Sequence, residues 1–128
     1  MKPVIIPNVK IAVVDHDKPT RGFITNVMMY SVNRDVQAFD SAKAFMEVLA
    51  QGHVFDLVFA DTRLPGMSGF DLLQHVKKEL PDTRFVALSS IPADEVLTGS
   101  LGADTFLAKP FELKDLFAIV QRFVVGDT

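Results

Sequence analysis

The chain has 128 residues, 48% of them hydrophobic and 23% charged, with no cysteine and a formal charge of -3. That length suits one domain with an ordinary core, and the composition is globular rather than disordered. The mild acidity excludes a basic nucleic-acid or membrane footprint, the lack of cysteine excludes a disulfide framework and suits the reducing cytoplasm, and no apolar run approaches the ~18 residues of a membrane span.

Residues 1–9, interrupted by Pro3 and Pro7, read as an N-terminal arm that is too short for a secretory leader. A domain over 10–125 and a tail over 126–128 follow. Residues 10–14 (KIAVV) form the first expected strand and 19–30 the first helix. A short strand at 36–39 leads to Ser41, which N-caps the helix AKAFMEVLA, and Gly52 stops that helix. Residues 55–60 (FDLVFA) form a strong strand. Ser68 opens a helix to about Glu79, where Pro81 blocks continuation. A strand at 85–88, a short helix at 92–101 with Pro92 in its first turn, a strand at 103–107 and a helix at 112–124 complete the chain.

This is a βα unit repeated five times. Nearly continuous apolar strands separated by helices imply a five-stranded parallel sheet covered on both faces, an α/β doubly wound (βα)5 architecture. Right-handed crossovers carry every strand's C-terminal end to one edge, where ligands of open α/β sheets bind. The residues at that edge are Asp15, His16 and Asp17 after the first strand, Asp61 after the third, Ser89 and Ser90 after the fourth and Lys109 after the fifth. Carboxylates, a hydroxyl and an ammonium in one cleft suit phosphoryl transfer to a carboxylate. The carboxylate attacks phosphorus, and the surrounding groups neutralise charge on the phosphoryl oxygens, with Mg2+ as the natural metal. Each carboxylate taken alone is equally well a helix cap.

Three segments in order, VVDHDKPTR, DLVFADTRLPGMSGFDLL and GADTFLAKPF, resemble the response-regulator receiver domain, the phosphoacceptor module of two-component signalling. The resemblance covers the chain after its first nine residues. It implies a flavodoxin-like sheet with strand order 2-1-3-4-5. It makes Asp61 the phosphoacceptor, Lys109 the lysine paired with it, Ser89 the switch hydroxyl and Phe106 the switch aromatic. Asp15 takes the first acidic position, Arg63 lends its backbone carbonyl to Mg2+, and Asp15 and Arg21 keep the family spacing. The implied Lys109–Pro110 bond is cis. The implied partners are a histidine kinase or phosphotransfer protein and an output domain or target docked on the face of the fourth helix, fifth strand and fifth helix. The phosphotransfer and dephosphorylation are self-catalysed, so the domain is not a conventional enzyme.

The chain departs from the family at His16, which stands where a direct acidic Mg2+ ligand is usual. Imidazole suits other metals, and a neutral histidine adds no charge. Three readings follow: weakened Mg2+ binding with phosphorylation retained, replacement of the ligand by Asp17, or a degenerate receiver acting as an unphosphorylated interaction module. A fourth reading takes DHD as similar to the opening of haloacid-dehalogenase-like phosphatases, with Asp15 as nucleophile and Asp17 as general acid; Pro19 and the unexplained FADTRLPGMSG segment oppose it. On the last helix Leu113, Leu116, Phe117, Val120 and Val124 form the expected core stripe, with Ile119 and Phe123 beside it as a candidate homodimer or partner face. Gly99 weakens the fourth helix. Phe106 carries no hydroxyl, so its burial is less costly than that of tyrosine.

Overall fold

The computed structural model describes residues 3–5, 9–32 and 35–127. The elements run β1 (Pro3–Ile5), β2 (Lys10–Val14), α1 (Lys18–Val32), β3 (Asp35–Phe39), α2 (Ala42–Ala50), β4 (Leu57–Asp61), α3 (Gly69–Glu79), β5 (Arg84–Ser89), α4 (Asp94–Ser100), β6 (Thr105–Ala108), α5 (Leu113–Phe123) and β7 (Val125–Asp127). Five of the strands form one parallel sheet in the order β3-β2-β4-β5-β6. Counted from Lys10 this is 2-1-3-4-5, as the resemblance implies.

Alternation along the strands explains why their sequences are apolar throughout. Ile11 and Val13 of β2, Leu57 and Phe59 of β4, and Val86 and Leu88 of β5 enter one core with α1 and α5. Ala12 and Val14, Val58 and Ala60, and Phe85 and Ala87 enter a second core with α2 and α3. A strand buried on both faces has no polar alternate positions. Phe45 packs at 5.3 Å, between ring centroids, against both Phe39 and Phe55, fixing α2 on its face of the sheet.

The helix caps agree with the sequence reading. Ser41 accepts from the Ala44 N–H at 3.1 Å, and Ser68 accepts from the Asp71 N–H at 3.2 Å. The fourth helix is shorter than expected: residues 91–93 make turns, with the Asp94 N–H donating to the Ile91 carbonyl and the Glu95 N–H to the Pro92 carbonyl, and α4 begins only at Asp94.

The face expected for α5 is rotated. Leu116, Ile119, Val120 and Val124 are buried and Phe123 packs against the core, whereas Leu113 and Phe117 are 45% and 48% exposed. Ile119 and Phe123 therefore do not extend an open partner face, and Leu113 and Phe117 leave the core stripe. The large apolar residues on this helix span one arc of about 160° at about 100° per residue, wider than the expected stripe, and the buried half of that arc lies toward Ile119 rather than Phe117. Parts of the expected arm and tail meet: β1 pairs antiparallel with β7, Val4 opposite Gly126.

Candidate functional site

The C-terminal ends of β2, β4, β5 and β6 bring the predicted residues together. Asp61 is the last residue of β4 and Ser89 the last of β5; Asp15 follows β2 and Lys109 follows β6. Each position is set by backbone bonds that continue the sheet. The Asp15 N–H donates to the Phe39 carbonyl at 3.1 Å, the Thr62 N–H to the Leu88 carbonyl at 2.9 Å and the Lys109 N–H to the Ser89 carbonyl at 2.8 Å. The Lys109–Pro110 peptide is cis.

Lys109 joins the acids. Its ammonium donates to Asp15 Oδ2 at 2.8 Å and also pairs with Asp61 Oδ2. The other oxygen of each carboxylate is taken by backbone, Asp15 Oδ1 by the Asp17 N–H at 2.9 Å and Asp61 Oδ1 by the Arg63 N–H at 2.6 Å. Burial raises the Asp15 pKa above the ordinary carboxylate value even though Lys109 and the Asp17 N–H pull it down, and the nearby Asp61 charge adds to the rise. For Lys109 burial opposes the charge, but the hydrogen bonds and charges of Asp15 and Asp61 prevail and its pKa is raised. Arg21 braces the loop below, donating to the Asp15 carbonyl at 2.8 Å and to the His16 carbonyl at 3.4 Å. That contact gives the spacing of Asp15 and Arg21 a physical reason.

His16 and Asp17 are both exposed, and the Asp17 carboxylate caps α1. Asp17 Oδ2 accepts from the Thr20 N–H at 3.1 Å and from the Thr20 hydroxyl, and these bonds lower its pKa. Among the described residues no three His, Cys, Asp or Glu side chains gather as a metal-holding group. Asp15 and Asp61 still suit Mg2+, which accepts one or two carboxylates and keeps several waters. Beside Lys109 a mostly apolar groove of about 440 Å3 is lined by Pro19, Thr20, Phe23, Ser90, Lys109, Pro110 and Phe111.

Phe106 is half-buried against the core on the α3 side and lines a recess with Glu95, Thr98 and Gly99 of α4. Three residues that shape the site escape sequence reasoning. Gly69 opens α3 so close to β4 that its N–H donates to the Thr62 carbonyl at 3.0 Å, and a Cβ there would stand 1.9 Å from the Asp61 carbonyl oxygen. Thr62 and Asp94 are buried and bonded to each other, Thr62 Oγ1 donating to Asp94 Oδ2 at 2.9 Å. A threonine after a strand and an aspartate at a helix start both pass for turn and cap residues, so only the contact between them marks their role.

Comparison with known proteins settles the family. The model of the response regulator receiver domain matches residues 11–121. The chain belongs to the response-regulator receiver domain family. It is a receiver domain of a two-component response regulator, a signalling domain rather than a conventional enzyme, and the haloacid-dehalogenase reading is set aside. The chain is 34% identical over 117 residues to the transcriptional regulatory protein FixJ of Bradyrhizobium diazoefficiens, covering 89% of this chain and 56% of that protein. It is 31% identical over 128 residues to the two-component response regulator ORR3 of Oryza sativa, covering 97% of both. NtrC of Azospirillum brasilense, a DNA-binding transcriptional regulator, is 30% identical over 92% of this chain and 24% of its own length. The chain thus spans about a quarter to about half of some of the relatives it matches. Among solved structures, the BeF3-activated receiver domain of DrrB superposes with a TM-score of 0.81 at 29% identity, covering 90% of this chain and 96% of that one.

Proposed function

We propose that this receiver domain accepts a phosphoryl group on Asp61 from a histidine kinase or phosphotransfer protein and thereby switches an output domain or a separate target in the cytoplasm. The observation that carries the reading is the shared ammonium: Lys109 holds Asp61 and the buried Asp15 in one ion network at the sheet edge. In the step, an Asp61 carboxylate oxygen attacks phosphorus as the P–N bond to the donor imidazole breaks. The electron pair and a proton end on that nitrogen, and Asp61 becomes an acyl phosphate. Lys109 moves from neutralising a carboxylate to neutralising phosphoryl oxygens, and the Ser89 hydroxyl supplies a donor to them. Asp15, Asp61 and the Arg63 backbone carbonyl would hold Mg2+, which when bound neutralises phosphoryl charge.

We take residues 10–125 as the receiver proper. The names of NtrC and FixJ, each longer than this chain, support an output function joined to or served by such a domain. The face of α4, β6 and α5 is our candidate for that contact, and a homodimer is one form it could take; Val96 and Leu97 of α4 and Phe117 of α5 are exposed. A second reading, a receiver working as a phosphorylation-independent interaction module, draws on one observation. His16 is exposed and Asp17 caps α1, so a third acidic metal ligand is not in place.

Phosphoramidate, whose P–N bond resembles phosphohistidine, separates the two. With Mg2+ the wild-type chain should gain one phosphoryl group and Asp61→Asn none. A folded wild-type protein that gains none supports the second reading.

A further inference from the structure

Asp94 is 4% exposed at the start of α4. A carboxylate this deep persists only when its oxygens are satisfied. Its hydrogen-bond donors come from side chains outside its own helix. Oδ2 accepts from Ser89 Oγ at 2.7 Å and Thr62 Oγ1 at 2.9 Å. Arg63 donates to Oδ1 from Nη2 at 2.7 Å and to Oδ2 from Nε at 3.3 Å. Burial opposes ionisation of Asp94, but the bonds from Ser89, Arg63 and Thr62 together hold its pKa below the ordinary carboxylate value. A helix cap would bond its own backbone N–H groups; Asp94 instead ties the first turn of α4 to the two residues after Asp61 and to the end of β5.

A serine hydroxyl has one proton to donate. Ser89 Oγ stands 2.7 Å from Asp94 Oδ2, much nearer than its other acceptor, the Ile91 carbonyl at 3.5 Å, so the proton goes to Asp94 while Oγ accepts from the Ile91 N–H at 3.0 Å. A phosphoryl oxygen on Asp61 needs the same proton. We propose that Asp94 is a positioning residue for phosphoryl binding at Asp61: a carboxylate latch that holds the Ser89 hydroxyl and the Arg63 guanidinium, and that an incoming phosphoryl group must displace. This rests on Asp61 being the phosphoacceptor. Two anions compete for one hydroxyl donor, and the neighbouring cation is committed to the first. Because Asp94 opens α4, giving up Ser89 loosens the turn from which the exposed Val96 and Leu97 project.

Beryllofluoride, a phosphoryl mimic, tests the latch. Its affinity in Mg2+ is measured by titration calorimetry on the wild type, Asp94→Ala, Asp94→Asn, Ser89→Ala and the Ser89→Ala/Asp94→Ala double variant, with urea unfolding to confirm that each folds. Asp94→Ala should bind about tenfold more tightly than wild type, equivalent to about 1.4 kcal/mol. Most of that gain should vanish in the double variant. Asp94→Asn, which keeps the shape and one acceptor oxygen, should gain a few-fold and decides the matter if the alanine variant does not fold. A merely structural Asp94 would lower the unfolding midpoint without tightening binding. Wild-type binding with unchanged or weaker binding by the folded Asp94 variants overturns the latch and leaves the phosphoacceptor reading standing. Binding by the Asp94 variants alone supports the latch in its strongest form. No binding by any of the proteins overturns the phosphoacceptor reading and the latch with it.

Discussion

Replacing Gly69 with alanine sets two physical effects of opposite sign against each other. Alanine is the better helix former, worth up to about 1 kcal/mol in favour of the variant. Its Cβ, however, would stand 1.9 Å from the Asp61 carbonyl oxygen, 2.6 Å from Thr62 Cα and 2.7 Å from the Asp61 carbonyl carbon. These distances are far inside the roughly 3.5 Å at which such atoms pack. All three obstacles are backbone, and both residues are buried, so no side-chain rotation relieves the clash. Overpacking costs typically 1–3 kcal/mol, and rigid neighbours place this site at about 3. The net is a loss of about 2 kcal/mol, or roughly 6–10 °C in Tm for a domain of this size. Urea unfolding checks it, with a midpoint about 1 M lower at unchanged slope. Gly99→Ala is the matched control: nothing lies within 4 Å of its added Cβ, so it should gain about 0.5–1 kcal/mol. A Gly69→Ala protein as stable as wild type would refute the close approach of α3 to β4 and the account of how Asp61 is held.

The ion network yields predictions of opposite sign. The raised pKa of Asp15 means that its ionised form is costlier in the folded than in the unfolded chain, so Asp15→Asn should raise the urea midpoint at pH 7. That advantage should shrink as pH falls through the raised folded pKa and disappear below the ordinary value of 3.8; a variant equally stable or weaker at pH 7 contradicts the burial effect. Lys109→Ala removes the shared cation and strands two carboxylates, costing about 3 kcal/mol by chemical denaturation. Ser41→Ala removes the acceptor for the Ala44 N–H and should cost about 1 kcal/mol.

Much of the fold is legible because each strand of the sheet interior is buried on both faces and α2, α3 and the start of the fourth helix are marked by a cap, a breaker or a first-turn proline. Ser41, Ser68 and Gly52 mark boundaries through local chemistry that sequence displays directly. The edge residues Asp15, Asp61, Ser89 and Lys109 are legible for a topological reason, since parallel strands carry their ends to one side. What is not legible depends on partners distant in sequence. Asp17 fits a metal ligand and a helix cap equally well until Thr20 is seen to hold it. Asp94 is an ordinary helix-start aspartate until Thr62, Arg63 and Ser89 converge on it. The orientation of α5 follows from packing of Ile119 rather than Phe117 against the sheet; the two sit at opposite edges of one wide apolar arc, and periodicity does not choose between the edges.

The central claim is chemical: phosphoryl transfer to the carboxylate of Asp61. Treatment with acetyl phosphate and Mg2+, followed by borohydride reduction and peptide mass spectrometry, reads the acceptor directly, because an acyl phosphate on aspartate is reduced to homoserine. The account predicts homoserine at position 61 and unmodified aspartate at positions 15, 17 and 94. Reduction at Asp15 in place of Asp61, or an unmodified position 61 in a folded protein, would contradict it.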